Sequence, residues 1–234
     1  MRFHCLQLPH VHGDPVAQLA RLDAALAKVG RGEVALLPEL ALTGYVSPRG
    51  DFDLGRFAEP IDGPLGSALS ARAQKHGVWL AGGVVEKDGK ETFNTMTLHD
   101  PTGALAGRYR KRHPWFPETW ATAGRAAHPV LTLGRIHVAL AICYDLHFLA
   151  SEAEDALERA DVLLFSSAWV EDGGDERFTL LPELARRFSL WIVNCNWGPG
   201  VPAFATQGRS LIIAPDGTIA CEAAPGADAI AIDL

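Results

Sequence analysis

Three polar side chains stand where apolar, strand-like runs end. Cys143 closes the run Val138-Ala139-Leu140-Ala141-Ile142, Glu39 follows residues 34–37 just past Pro38, and Lys111 follows residues 104–110. Their chemistries are complementary. A free thiol, with a pKa of about 8.5, is mostly protonated at neutral pH and needs a base or a cation to become a nucleophile. A carboxylate can take that proton and return it to a leaving amine. An ammonium can depress the thiol pKa and hold an oxyanion. Cys143 is therefore read as a nucleophile, Glu39 as its base and Lys111 as the oxyanion cation, with the Tyr144 backbone N–H as a second oxyanion donor. Each residue also has a plainer reading. A lone buried Cys is usually a small core residue, a Glu after Pro is usually solvated, and Lys111 lies in the cluster Arg108-Tyr109-Arg110-Lys111-Arg112, which could be a charged face. The chemistry requires all three to meet, which they can do if their strands share one sheet direction.

The elements that must position them alternate. Residues 2–8 read as a strand, and Asp14 caps a helix over 15–29 with Pro15 in its first turn. A short buried strand over 33–37 leads to Glu39. Residues 41–63, rich in Gly, Pro and Asp, read as a long functional loop. A helix over 64–76 stops at Gly77, and strands over 78–85 and 92–99 flank a Lys87-Asp88-Gly89-Lys90 turn. The Gly82-Gly83 pair signals close backbone approach. A strand over 104–110 delivers Lys111, an irregular Pro- and Trp-rich segment covers 113–125, and the strand 136–142 delivers Cys143. Then come a helix over 148–159, a strand over 161–166, a helix over 176–188 that includes Pro182, a strand over 190–195, a loop at Gly198-Pro199-Gly200 and terminal strands from 210 onward. Strands alternating with helices predict an α/β fold, and the hairpin turns predict mixed sheets. No linker interrupts residues 1–234, so one domain is expected.

Composition excludes several classes. A net charge of −7 without long basic runs argues against nucleic acid or an anionic membrane as a partner. No apolar run reaches a membrane-spanning length, and residues 1–6 do not read as a signal peptide, so a cytoplasmic protein is expected. Cys5, Cys143, Cys195 and Cys221 lack the paired spacing of zinc or redox sites. His10-Val11-His12 has no nearby third ligand in sequence, so no metal is expected.

The segments Pro38-Glu39-Leu40-Ala41-Leu42-Thr43-Gly44-Tyr45, Tyr109-Arg110-Lys111 and Ile142-Cys143-Tyr144-Asp145, in this order, resemble the nitrilase (carbon–nitrogen hydrolase) superfamily. The likeness extends through Phe57-Ala58-Glu59-Pro60-Ile61-Asp62-Gly63-Pro64, Asn94, Ser166-Ser167-Ala168-Trp169 and Gly208-Arg209-Ser210. It implies a four-layer α-β-β-α sandwich with two mixed β-sheets and a Glu–Lys–Cys triad at Glu39, Lys111 and Cys143. It also implies a second glutamate that supports the lysine or positions substrate, here Glu118, seven positions after Lys111. The stretch His113-Pro114-Trp115-Phe116-Pro117-Glu118-Thr119-Trp120 is similar to a segment of aliphatic amidases and formamidases, with one residue fewer before the glutamate. After Cys143 the sequence departs from the pattern: His147 replaces an arginine, and Leu149-Ala150 replace Pro-Glu. Relatives use that region in a dimer interface, so a homodimer is expected only with altered contacts.

The reading implied is a cysteine hydrolase of non-peptide C–N bonds acting on a small amide through a thioester, with no cofactor required. Its rivals are a nitrilase or N-carbamoyl-amine hydrolase using the same triad, a non-catalytic binding protein on the same fold, and a redox sensor. Trp169 is expected to wall the substrate pocket and Tyr45 to line it from the long loop. Asn196, before the Gly198–Gly200 loop, is a candidate substrate contact, with a turn role the favoured reading, and Asp145 is expected to hold the turn after the nucleophile.

Overall fold

A computed structural model describes residues 1–170 and 174–234. The first half lays down β1 (Arg2–Leu6), β2 (Pro9–Val11), α1 (Pro15–Leu26), β3 (Val34–Leu36), α2 (Pro64–His76), β4 (Trp79–Asp88), β5 (Glu91–His99) and β6 (Leu105–Arg110). The second half adds β7 (Val130–Leu133), β8 (Ile136–Ile142), α3 (Leu149–Glu152), α4 (Glu154–Glu158), β9 (Val162–Ser166), α5 (Arg177–Phe188), β10 (Trp191–Cys195), β11 (Gly198–Val201), β12 (Leu211–Ile213), β13 (Ile219–Glu222) and β14 (Ala229–Asp233).

Two mixed six-stranded sheets result, ordered β14-β1-β3-β4-β5-β6 and β13-β12-β10-β9-β8-β7. Read from β7, the second sheet repeats the first: one antiparallel pair, two parallel pairs, then two antiparallel pairs. The helices that cross between the parallel strands cover the outer faces. Strand alternation divides the core accordingly. In β3, Val34 and Leu36 join the core shared with the second sheet, while Ala35 and Leu37 pack with Leu22, Leu26 and Leu69 of α1 and α2. This is the α-β-β-α sandwich, with few and short helices. Among the described residues no helix is long and apolar enough to cross a membrane.

Local rules explain most boundaries. Asp14 caps α1 by accepting from the Ala17 N–H at 2.9 Å, and Gly77 ends α2 in the left-handed region at φ 67°. Of the places where the chain differs from what its sequence predicts, three bear on the packing. First, α1 stops at Leu26, and Val29 is reached through a tight turn in which its N–H bonds the Leu26 carbonyl at 3.1 Å. Second, the single helix expected over 148–159 is two short ones. Ala153 leaves helical geometry (φ −114°, ψ 10°) between them, and Leu149, Ala153 and Leu157 are all buried. Third, Gly198-Pro199-Gly200 is not a free loop. It belongs to β11, which pairs in parallel with β2, and a Cβ on Gly200 would lie 2.0 Å from the His10 carbonyl oxygen, so only glycine permits the approach.

Candidate active site

The three polar strand ends do meet, but across two sheets rather than within one. β3 and β6 run the same way, separated by two antiparallel pairings, and bring Glu39 and Lys111 to one end of the first sheet. Cys143 arrives from β8 of the second sheet. The Glu39 loop is fastened to that second sheet. Its N–H donates to the Ser167 carbonyl at 3.2 Å, and its carbonyl accepts from the Trp197 indole at 3.0 Å. The Ser166 hydroxyl donates to the Leu37 carbonyl at 2.8 Å. Gly83 of β4 allows the close approach expected of it, since a Cβ there would sit 2.8 Å from the Leu40 nitrogen.

Cys143 occupies a sharp bend. Its φ of 46° lies in the left-handed region, and a 3₁₀ turn over Cys143–His147 follows at once. Asp145, fully buried, secures the bend. Its carboxylate accepts from the Ile142 N–H at 3.1 Å, the Tyr109 hydroxyl at 2.9 Å and the His113 N–H at 3.0 Å. The same carboxylate thus ties the nucleophile's turn to β6 and to the segment that carries Glu118.

Beneath the thiol lies a wholly buried ion cluster. The Lys111 Nζ donates to Glu39 Oε1 and to Glu118 Oε2, each at 2.8 Å, and the side chains of all three residues have no exposed surface. Asn94 of β5 donates from Nδ2 to Glu39 Oε1 at 2.7 Å and to Glu118 Oε1 at 2.8 Å, bridging the two carboxylates. Glu118 also accepts from the Trp115 N–H at 2.7 Å. The second Glu39 oxygen, Oε2, has no hydrogen-bond partner among the described residues. Burial pushes the Glu39 pKa up to about 7; Lys111 opposes the rise and Glu118 adds to it. Burial works against the Lys111 ammonium, yet Glu118 and Glu39 more than offset it and hold Lys111 above the ordinary lysine range. Burial and the Glu39 charge push the Cys143 thiol well up, against the pull of Lys111. The thiol thus keeps its proton, and the Glu39 carboxylate, raised by burial, keeps Oε2 free of partners among the described residues.

A narrow pocket opens onto Cys143. Tyr45, Trp115, Tyr144 and Trp169 supply its aromatic walls, and Ala168 and Val170 complete it. The Tyr45 hydroxyl and the Trp169 indole nitrogen are buried without hydrogen-bond partners among the described residues. Burial raises the Tyr45 pKa well above its usual value, with the charges of Glu118 and Glu39 adding to the effect, so the hydroxyl keeps its proton.

Asn196 requires a correction: the structure places it away from the pocket. It is fully buried, its Oδ1 accepts from the Trp169 N–H at 3.0 Å, and its Nδ2 donates to the carbonyls of Thr206 and Gly208 at 2.8 and 3.0 Å. With every polar atom spent on backbone, it fixes Trp169 instead of touching substrate. The role of Asn94 was not legible beforehand, because a lone Asn in a strand gives no sign of two carboxylates converging on it. His10 has a structural task that its sequence context does not announce. Its Nε2 accepts from the Tyr45 and Val46 N–H groups at 2.9 and 3.2 Å and anchors the loop that carries Tyr45. Glu152 pairs with Arg112 at 2.9 Å and His113 at 3.0 Å, outside the pocket.

Against known proteins, the family model described as carbon-nitrogen hydrolase matches residues 5–233. The 2-oxoglutaramate amidase of Bacillus subtilis (strain 168) is 29% identical over 225 residues, which cover 93% of this chain and 84% of that protein. A solved amidase from Nesterenkonia sp. superposes with a TM-score of 0.87 at 25% identity, over 100% of this chain and 90% of that one. A cysteine-to-alanine mutant of the amidase from Nesterenkonia sp. AN1, in complex with butyramide, gives the same TM-score, identity and coverage.

Proposed function

Because the chain belongs to the carbon–nitrogen hydrolase family, we propose that it hydrolyses a small linear amide, with Cys143 as nucleophile, Glu39 as proton shuttle and Lys111 with the Tyr144 N–H as the oxyanion site. The observation that carries this reading is the Lys111 ammonium bridging Glu39 and Glu118 at 2.8 Å each, a buried cluster whose charges all act on the Cys143 thiol that lines the pocket. The sulfur adds to the amide carbonyl while its proton passes to the unpartnered Glu39 Oε2. The negative charge that develops on the carbonyl oxygen is held by Lys111 and the Tyr144 N–H. The C–N bond breaks as Glu39 returns the proton to nitrogen, so ammonia or an amine leaves and a thioester remains. Water then adds to the thioester, giving its proton to Glu39, and the C–S bond breaks to release the carboxylic acid and the thiol. Glu118 and Asn94 hold Glu39 and Lys111 in register throughout. Residues 1–234 act in this reading as one catalytic domain, since both sheets supply parts of the site.

The amidase relatives support the substrate class: the named substrate of one is an amide, and butyramide occupies a mutant of the other. The test is ammonia release from short amides by the parent and by Cys143→Ala, with circular dichroism to establish that both are folded. The variant is expected to lose turnover by at least about a thousandfold. Activity within tenfold of the parent would remove Cys143 from the mechanism.

A further inference from the structure

We propose that this pocket is built for uncharged amides and rejects amides that carry a carboxylate; the inference rests on the reading of Cys143, Glu39 and Lys111 as the amide-hydrolysing centre. A bound carboxylate must find a cation or several fixed donors to replace its water, because an unpaired buried charge is strongly disfavoured. No lysine, arginine or histidine lines the pocket among the described residues; its walls are Tyr45, Trp115, Tyr144, Trp169, Ala168 and Val170. Nor do residues 171–173, Glu-Asp-Gly in sequence, carry a positive charge.

The cations nearby are already committed. Lys111 is shared between two carboxylates, so the buried cluster has an excess of negative charge once both glutamates are ionised. The His147 ring lies 5.9 Å from that of Trp169, but its Nε2 already faces Glu176 at 3.8 Å. Arg177 is fully buried and spends its guanidinium on Asp175, at 2.8 and 2.6 Å, and on Asn194 at 3.0 Å. A carboxylate entering beside the reacting amide would therefore meet aromatic and apolar walls, while the buried Lys111 is already paired with two carboxylates. The contrast with the Bacillus relative is chemical: 2-oxoglutaramate, the substrate in that protein's name, carries a carboxylate at the end remote from its amide.

The experiment is kcat/KM by ammonia release on butyramide, 3-nitropropanamide, succinamate and 2-oxoglutaramate with the unmodified protein. Succinamate and 3-nitropropanamide are isosteric, so their ratio isolates charge from size. Butyramide and 3-nitropropanamide are expected to turn over, with succinamate and 2-oxoglutaramate at least about 100-fold lower. A smaller ratio between the isosteres, or a preference for either carboxylate, overturns the charge exclusion while leaving amide hydrolysis standing. Absence of ammonia from all four amides overturns the catalytic reading itself, and this inference with it.

Discussion

Two buried glutamates in the first sheet have been given opposite environments. Glu39 shares the single ammonium of Lys111 with Glu118, and its pKa is raised to about 7 with burial as the leading cause. Glu86 of β4 is also buried, but two guanidiniums serve it. Arg110 donates at 2.9 and 2.6 Å, Arg108 at 2.7 Å, and the Thr95 hydroxyl adds a bond at 2.7 Å. Burial pushes Glu86 up too, yet Arg110, Thr95 and Arg108 more than offset it and leave its pKa below the ordinary value. The pleat of one strand separates the two clusters: Asn94 turns its amide to Glu39, and its neighbour Thr95 turns its hydroxyl to Glu86. Burial alone therefore does not make a carboxylate a base. The count of cations per carboxylate decides, together with whether an oxygen is left free, and Glu39 alone of the two has one.

The contrast can be broken most sharply at Glu39. Glu39→Gln removes the proton acceptor while keeping the shape, and kcat/KM should fall by about 10³-fold or more. Since ionisation of Glu39 in the fold costs stability as pH rises from its ordinary 4.5 to about 7, the melting temperature of the variant at pH 8 should be no lower than the parent's. A variant that keeps a tenth of the activity would show that the carboxylate is not the shuttle.

The pH profile tests the same point with no mutation. Glu39 must be ionised to accept the thiol proton, so kcat/KM should drop on the acid side of about pH 7, approaching tenfold per unit. Lys111 is held above its normal range and keeps its charge through pH 9, so no loss is expected between pH 7.5 and 9. A profile flat down to pH 5 would mean that the groove around Glu39 is more solvated than its burial implies.

The smallest effect on catalysis is expected at Glu86. Glu86→Gln should leave kcat/KM within about threefold and lower unfolding stability by about 1–3 kcal/mol in denaturant titrations. That figure lies below the full cost of breaking a buried pair because the Arg108 and Arg110 side chains are 45% and 20% exposed and can turn to water. The stabilisation is present above the ordinary carboxylate pKa and is lost as pH falls through the depressed value, the reverse of Glu39. A large activity loss with unchanged stability would erase the distinction between the two glutamates.

The candidate chemistry was legible because a nucleophile, base and cation of this kind sit at strand ends, where apolar runs give way to polar residues within one or two positions. The elements themselves were legible where local physics is decisive, as at the Asp14 and Gly77 caps and the Gly82-Gly83 approach. What failed depended on neighbours far away in sequence. Gly198–Val201 becomes a strand because β2 lies beside it, and Asn196 is consumed by backbone groups 10 to 27 residues distant.

The sequence by itself determined the chemical inventory: which groups could attack, accept a proton and stabilise charge, and the alternation of strands and helices that could carry them. It could not decide that Glu39 and Lys111 come from one sheet and Cys143 from the other, that Asn94 bridges the two carboxylates, or that the pocket holds no spare cation. Those properties are differences between large burial and pairing effects. Such differences acquire a sign only when residues 72 positions apart, as Glu39 and Lys111 are, have been brought to 2.8 Å in a site closed to water.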